Sequence, residues 1–315
     1  MPFHSGFVCI IGRPNAGKST LLNTLVKQKL AIVSPKPQTT RNRILGIVNV
    51  PKQKGRSEGQ IVLMDTPGVH KPDSSLGKKM MTEVHEALEG CDLILLLVDA
   101  AKKPDPQDKF VLSLAQRSGT PVFLLLNKVD LIRGDKQKLL PLIDSFRTSL
   151  EFKEVIPLSA RTGDGIDVLL KEIINLLPSG PHHFPEDQVT DQPVRFMCAE
   201  IIREQLLFAT NEEVPHATTV GIDQFEEGPR LTRIAATVYC EREGQKRILI
   251  GKQGQMLKKV GTAARLQIEK MLDHKKVFLE LFVKVSPGWR NSRIFVEELD
   301  WRTKFNSLTT VDSKS

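Results

Sequence analysis

Aromatic residues are scarce in this chain of 315 residues, with 14 Phe, two Trp and a single Tyr making up 5% of the whole. A nucleic acid held chiefly by bases stacked on an aromatic platform is therefore not the expected mode of binding. Cysteine is equally sparse. Cys9, Cys91, Cys198 and Cys240 lie far apart, with no Cys-x-x-Cys pair and no neighbouring His. That excludes zinc and redox motifs and argues against a disulfide framework, so the four read as small buried hydrophobes. Long apolar runs are missing too: Leu93–Val98 and Val122–Leu126 are far too short to cross a bilayer. The strand-like Gly6–Gly12 comes too early to leave room for a signal peptide, and the expected compartment is the cytoplasm.

What is present is an ordinary globular supply, 40% hydrophobic and 26% charged, enough for a core in each of two domains. The net charge of +8 points to a polyanionic partner, and its distribution narrows the place. Residues 1–180 carry 25 Lys and Arg against 18 Asp and Glu, and residues 181–315 carry 20 against 19. The second part is balanced only on average, because Lys246–Arg265 holds six basic residues and no acid.

Up to about Leu177, short apolar runs alternate with amphipathic stretches. Strands are expected at Phe7–Ile11, Ile44–Val48, Ile61–Met64, Leu93–Val98, Val122–Leu126 and Val155–Pro157, with helices starting at Lys18, Leu76, Gln107, Lys136 and Ile166. Near-continuous apolar strands interleaved with helices predict a mostly parallel sheet covered on both faces. Pro178–Pro193 has four prolines, two histidines and no periodicity, which reads as a linker. Beyond it the pattern predicts a helix (Val194–Ala209), two strands (Thr218–Phe225 and Ile234–Tyr239) and a Gly-containing turn. A second helix (Met256–Leu272), a strand (Val277–Val285) and a short helix near Arg293–Leu299 follow. The expected division is an α/β domain over 1–178, a linker over 179–192, an α+β domain over 193–300 and a tail over 301–315.

Gly12-Arg13-Pro14-Asn15-Ala16-Gly17-Lys18-Ser19, followed by Thr20, matches G-x-x-x-x-G-K-[ST] between an apolar strand and a helix. Such a loop turns backbone N–H groups toward phosphates at a helix N-terminus. Lys18 would bridge the β and γ phosphates, and the Ser19 hydroxyl would coordinate Mg²⁺. Asp65-Thr66-Pro67-Gly68 follows the third strand, placing Asp65 to reach Mg²⁺ through water and the Gly68 N–H to meet a γ-phosphate; taken alone it reads more readily as a simple β-turn. Asn127-Lys128-Val129-Asp130 follows the fifth strand. The Asp130 carboxylate can accept the N1–H and 2-amino N–H of guanine, donors that adenine lacks, while the Lys128 stem lies over the base. Ser159-Ala160 would offer the Ala160 N–H to guanine O6.

In the second domain, Gly251-Lys252-Gln253-Gly254 is a G-x-x-G, a pattern that chance supplies about once in a chain of this length. Its context carries the signal: Ile248-Leu249-Ile250 before it, a helix after it and the acid-free basic stretch around it. That is the K-homology (KH) arrangement, in which the loop clamps a nucleic-acid backbone. Lys246, Arg247, Ile250, Gly251, Lys252, Gln253, Gly254 and Lys258 are the candidate contacts, with Lys252 and Arg247 supplying charge to phosphate.

The four nucleotide segments, as a set, resemble the signature of the translation-factor-related GTPases over residues 6–177, which implies a P-loop NTPase domain that hydrolyses GTP with Mg²⁺. In that group a Thr between the first helix and the second strand closes over the metal and γ-phosphate; here Thr40 is the candidate, with Thr39 beside it. Ser19, Thr40 and Asp65 are thus the metal set, and Lys18, Thr40 and Asn15 the catalytic one. Where Ras-like relatives place a water-orienting Gln after Asp-x-x-Gly, this chain has Val69, so hydrolysis must rely on backbone, a monovalent ion or a partner. In related bacterial GTPases with a P-x-Asn-x-Gly-Lys loop the Asn can hold K⁺; Asn15 matches that position, and an Asn that merely caps the loop is the alternative.

HHFPED and TD within 182–191, RFMCAEIIRE at 195–204, EREGQKRILIGKQG at 241–254 and FLELFVKV with GW within 278–289 resemble the Era family of GTPases. This implies a type II KH domain after the GTPase domain. It also implies a factor that binds the 3′ end of 16S ribosomal RNA during 30S subunit assembly, with the GTP state gating RNA binding. No DNA partner is expected, and the implied location is the cytoplasm with loose contact at the inner membrane. Two departures stand out: Arg161 where related GTPases usually have Lys, and Cys240 at a position usually apolar.

Overall fold

The computed structural model describes residues 3–69, 72–132 and 136–300. The expected tail, 301–315, lies outside the described residues. The chain divides into two compact units, one of residues 3–69 with 79–191 and the other of 72–78 with 192–300.

In the first unit, strands β1 (His4–Ile11), β2 (Ile44–Val50), β3 (Gly59–Asp65), β4 (Leu93–Asp99), β5 (Val122–Asn127) and β6 (Glu154–Leu158) form one sheet in the order β2-β3-β1-β4-β5-β6. All neighbours are parallel except β2, which runs antiparallel to β3. Alternation along β1 sorts the core into two layers. Val8 and Ile10 pack with α1 (Lys18–Val26) and α5 (Ile166–Leu176). Cys9 and Ile11 pack with residues of α2 (Ser75–Glu89), α3 (Pro106–Ser118) and α4 (Leu140–Arg147). With helices on both faces, the strands are largely apolar, and all seven residues of β4 are buried. β1 lies where the connections diverge, toward β2 and β3 on one side and toward β4 on the other, so the crevice at its carboxyl end is the ligand position of this architecture.

Residues 179–191, which composition marks as a linker, are held on the first unit by tertiary bonds that no local pattern announces. The fully buried Gln60 side chain accepts the N–H groups of His183 (2.8 Å) and Phe184 (2.9 Å) and donates to the Phe184 carbonyl (2.9 Å). The Ile47 N–H donates to Val189 O at 2.8 Å, and Thr190 Oγ1 donates to Leu45 O at 2.6 Å. This strap covers the outer edge of β2, which would otherwise present unpaired backbone groups.

The second unit contains α6 (Val194–Ala209), β7 (Thr219–Glu227), β8 (Leu231–Cys240), α7 (Glu243–Ile250), α8 (Gln255–Met271), β9 (Lys276–Val285) and α9 (Arg293–Glu298). β8 is central, antiparallel to β7 and parallel to β9. Cys198, Ile202 and Leu206 of α6, Val260, Ala264 and Ile268 of α8, and Ile234, Ala236 and Val238 of β8 form its core. α7 is an addition to the sequence reading, which passed from the second strand through a Gly-containing turn to the helix at Met256 with no helix between them. Of Ile248, Leu249 and Ile250, only Leu249 is fully buried, one helical turn after buried Gln245, whereas Ile248 is half exposed. The Gln245 side chain reaches back to accept the Glu241 and Arg242 N–H groups, which caps the helix. Cys9, Cys198 and Cys240 are buried and Cys91 is half-buried, all four as free thiols. Among the described residues, no helix is long and apolar enough to cross a membrane.

Candidate functional site

The strand β1 ends at Ile11, and the loop 12–17 carries the chain into α1. Gly17 takes φ +104°, and a Cβ there would collide with the Asn127 side chain, so only glycine fits between loop and helix. Lys18, the first residue of α1, is buried, and its Nζ donates to the carbonyls of Gly12 (3.0 Å) and Arg13 (3.2 Å). Burial lowers its pKa to about 8, with the Asp65 charge acting in the opposite sense. The Arg13 side chain turns away from the phosphate loop toward the N-terminus of α3, 3.4 Å from Asp108, so any part it has in nucleotide binding falls to its backbone.

Three oxygens converge next to Lys18. Ser19 Oγ donates to Asp65 Oδ2 at 2.7 Å and lies 2.8 Å from Thr40 Oγ1. Asp65 is fully buried, and desolvation pushes its carboxyl up to about 6 against the pull of Lys18 and the Ser19 and Thr40 hydroxyls. Its second oxygen, Oδ1, has no hydrogen-bond partner. Thr39 points elsewhere, donating from Oγ1 to Lys36 O at 2.6 Å. Of the two threonines the structure therefore brings Thr40 to the metal set. Asn15 takes φ +63°, and its Nδ2 donates to Pro35 O at 2.7 Å, tying the phosphate loop to the segment before Thr40. Pro14, Asn15, Thr20, Thr40 and Gly68 line one pocket together with Gly17, Lys18 and Ser19. The turn after β3 is fixed by Thr66 Oγ1 donating to Ile10 O (2.8 Å) and the Val69 N–H donating to Gly12 O (3.2 Å). Val69 itself is fully buried in the core layer of α2 and α3, so its side chain does not face the pocket.

The carboxyl ends of β5 and β6 supply the second cluster. Asn127, buried, donates from Nδ2 to Ala16 O (2.8 Å) and accepts the Ala160 N–H on Oδ1 (2.9 Å), so one side chain joins three of the motif loops. Lys128 Nζ donates to Asn15 O (2.8 Å) and pairs with Asp99 at 2.6 Å. Asp130 Oδ1 accepts the Ser159 hydroxyl at 2.6 Å, and Oδ2 accepts Arg161 Nη2 at 2.5 Å. That hydroxyl, and the guanidinium after it, hold the Asp130 carboxyl below the usual range. Asp99 and Arg161 were not singled out as site residues from sequence. A carboxylate ending the apolar run of β4 at the ligand edge is the signal that could have found Asp99.

In the second unit, α7 ends at Ile250 and the loop Gly251–Gly254 leads into α8. Gly251 takes φ +73°, and a Cβ there would lie 2.6 Å from Met256 Cβ, so glycine is required. Lys252 and Gln253 stand exposed at the loop tip, with Arg247 and Lys258 exposed on the flanking helices and Lys246 and Ile250 half-buried. Gly254 caps α8 at φ +77°.

A P-loop domain with a metal-type oxygen set and a linked cluster of base-edge loops, followed by a KH fold, defines a GTPase with an appended nucleic-acid-binding domain. The family model for 50S ribosome-binding GTPases matches residues 7–128, and that for KH domains matches residues 213–290. The chain is 50% identical to the GTPase Era of Ruminiclostridium cellulolyticum over 97% of its length and all of that protein. It is 49% identical to the GTPase Era of Geobacter metallireducens, covering 95% of this chain and 98% of that one. Two solved structures, each 40% identical and covering 94% of this chain, are similar throughout. One is Era in complex with MgGDPNP and nucleotides 1506–1542 of 16S ribosomal RNA (TM-score 0.89, 98% of that chain). The other is a single-residue variant of Aquifex aeolicus Era bound to GDP·AlF₄⁻ (TM-score 0.88, 99% of that chain). The chain belongs to the Era family of GTPases.

Proposed function

We propose that this GTPase binds the 3′ end of 16S ribosomal RNA through its KH domain and acts in assembly of the 30S subunit, with the bound nucleotide setting RNA affinity. The observation that carries this reading is the similarity to the Era structure that holds both MgGDPNP and a 16S segment, over 94% of the present chain. On this reading Gly12 to Thr20 cradle the phosphates, and Gly68 offers its N–H to the γ-phosphate. Asn127, Lys128, Asp130, Ser159 and Ala160 read guanine. Ser19, Thr40 and Asp65 suit Mg²⁺, because all three present hard oxygen donors and the buried Asp65 Oδ1 is otherwise unpartnered. When bound, the metal offsets charge on the β and γ phosphates. Lys18 places its ammonium on the same charge. Val69 is turned into the core, so no side chain at that position orients the attacking water, and hydrolysis relies on backbone, a monovalent ion or a partner. K⁺ at Asn15 is the finer proposal for the missing positive charge.

Lys252, Gln253 and the glycines of the 251–254 loop approach the RNA backbone, while Lys246, Arg247 and Lys258 add phosphate contacts. The net charge of +8 also supports loose contact with an anionic inner-membrane face, which sedimentation with anionic against neutral vesicles tests. The deciding experiment is titration of the full chain with an RNA of the 16S 3′ end, against a scrambled RNA of equal length and charge. Specific binding is expected, and equal affinity for both RNAs rules the reading out.

A further inference from the structure

We propose that Arg161 is a positioning residue for guanine selectivity, its guanidinium clamping the Asp130 carboxylate in the orientation that accepts the two N–H groups of the guanine edge. The proposal rests on the guanine reading above and extends it to a residue outside the four motif segments. An Asp carboxylate turns easily, since its terminal torsion has broad wells. Here both oxygens are held from one loop, Oδ1 by Ser159 Oγ at 2.6 Å and Oδ2 by Arg161 Nη2 at 2.5 Å. Ser159 is held in its turn, because its hydroxyl oxygen accepts the Thr162 N–H at 3.2 Å. Each carboxylate oxygen has more than one acceptor site, so the clamp does not use up the capacity the base requires.

The Asp130 side chain is 15% exposed and that of Arg161 is 71% exposed, so the guanidinium grips from the solvent side. The guanidinium is a rigid planar donor, where a Lys would offer a mobile point charge. An ion pair this open contributes modestly, which sets the expected effect at about two- to fivefold in nucleotide affinity.

The test is calorimetric titration of the full chain. Arg161→Ala is expected to weaken GDP binding about two- to fivefold, less so in molar salt, and Arg161→Lys should recover part of the loss. The control is Asp130→Asn. Xanthine presents an oxygen where guanine presents its 2-amino group, so the Asn amide should favour xanthosine diphosphate. With the charged partner gone, adding Arg161→Ala to Asp130→Asn should leave xanthosine diphosphate affinity unchanged. Unchanged GDP binding by Arg161→Ala overturns the clamp, and tighter binding would mean that Arg161 competes with the base. An equal loss in both backgrounds would mean that Arg161 touches the nucleotide directly. If Asp130→Asn alone fails to shift preference toward xanthine, the guanine reading itself falls, and the clamp with it.

Discussion

At the residue scale, the buried Asp65 sets a pH dependence with a definite sign. Its carboxyl titrates near 6 in the folded chain, above an ordinary value of 3.8, so the native state binds its proton more tightly than the unfolded chain does. The stability this contributes is complete below pH 3.8 and is lost as the pH rises through about 6. Asp65→Asn cannot ionise. Without Mg²⁺ and nucleotide it should therefore melt higher than the native protein at pH 7.5, with the gain shrinking toward pH 4.5. With Mg²⁺ and GDP present the order should reverse, because the amide cannot replace the carboxylate charge. Melting curves at the two pH values, with and without ligand, measure both effects; a gain that ignores pH would mean that Asp65 is not the titrating group.

Asn15 carries the second prediction at this scale. Turnover by the isolated protein should be slow, since Val69 cannot hold water. Stimulation on replacing Na⁺ by K⁺ should vanish in Asn15→Ala. Stimulation that survives the substitution places the ion elsewhere. The motif residues themselves were legible because phosphate and guanine chemistry demand particular residue types at fixed spacing. Arg161 was visible only as a departure from Lys, since its pairing with Asp130 joins residues from different strand ends.

At the element scale, the loop between α7 and α8 predicts where RNA binding fails. Lys252 and Gln253 are exposed at its tip, so changing both to Asp removes one cation and sets two anions against the phosphate track. Affinity for the 16S 3′ end should fall by roughly tenfold or more, and the slope against salt should flatten. Filter binding across a salt series, with melting as the folding control, reads both. A folded double variant that binds as tightly as the native chain moves the site away from this loop. The strands of the first unit were readable because each is buried on two faces, which leaves a continuous apolar run. α7 was not, because it is short, five of its eight residues are polar or glycine, and its buried face shows only as Gln245 and Leu249. The strap at 179–191 was opaque for another reason: its bonds go to Gln60, Leu45 and Ile47, more than 100 residues earlier.

At the scale of the whole molecule, the strap bears on how nucleotide state reaches RNA affinity. Thr40 lies four residues before β2, and β2 carries the strap through Ile47 and Leu45. The strap ends at Asp191, and the chain passes directly into α6 of the KH unit. On the proposed reading, a γ-phosphate that orders Thr40 would act on a segment continuous in sequence with β2, the strap and the second unit, and hydrolysis would withdraw that bias. Coupling of this kind typically amounts to about 1–3 kcal/mol, or 5–150-fold in affinity, and linkage requires RNA to change nucleotide affinity by the same factor. RNA titrations with GDP and with a non-hydrolysable GTP analogue should differ within that range. Gln60→Ala, which loosens the strap without touching either ligand site, should narrow the ratio toward one. Equal RNA affinity in both nucleotide states, with turnover indifferent to RNA, would instead describe a constitutive RNA binder whose GTPase domain runs independently.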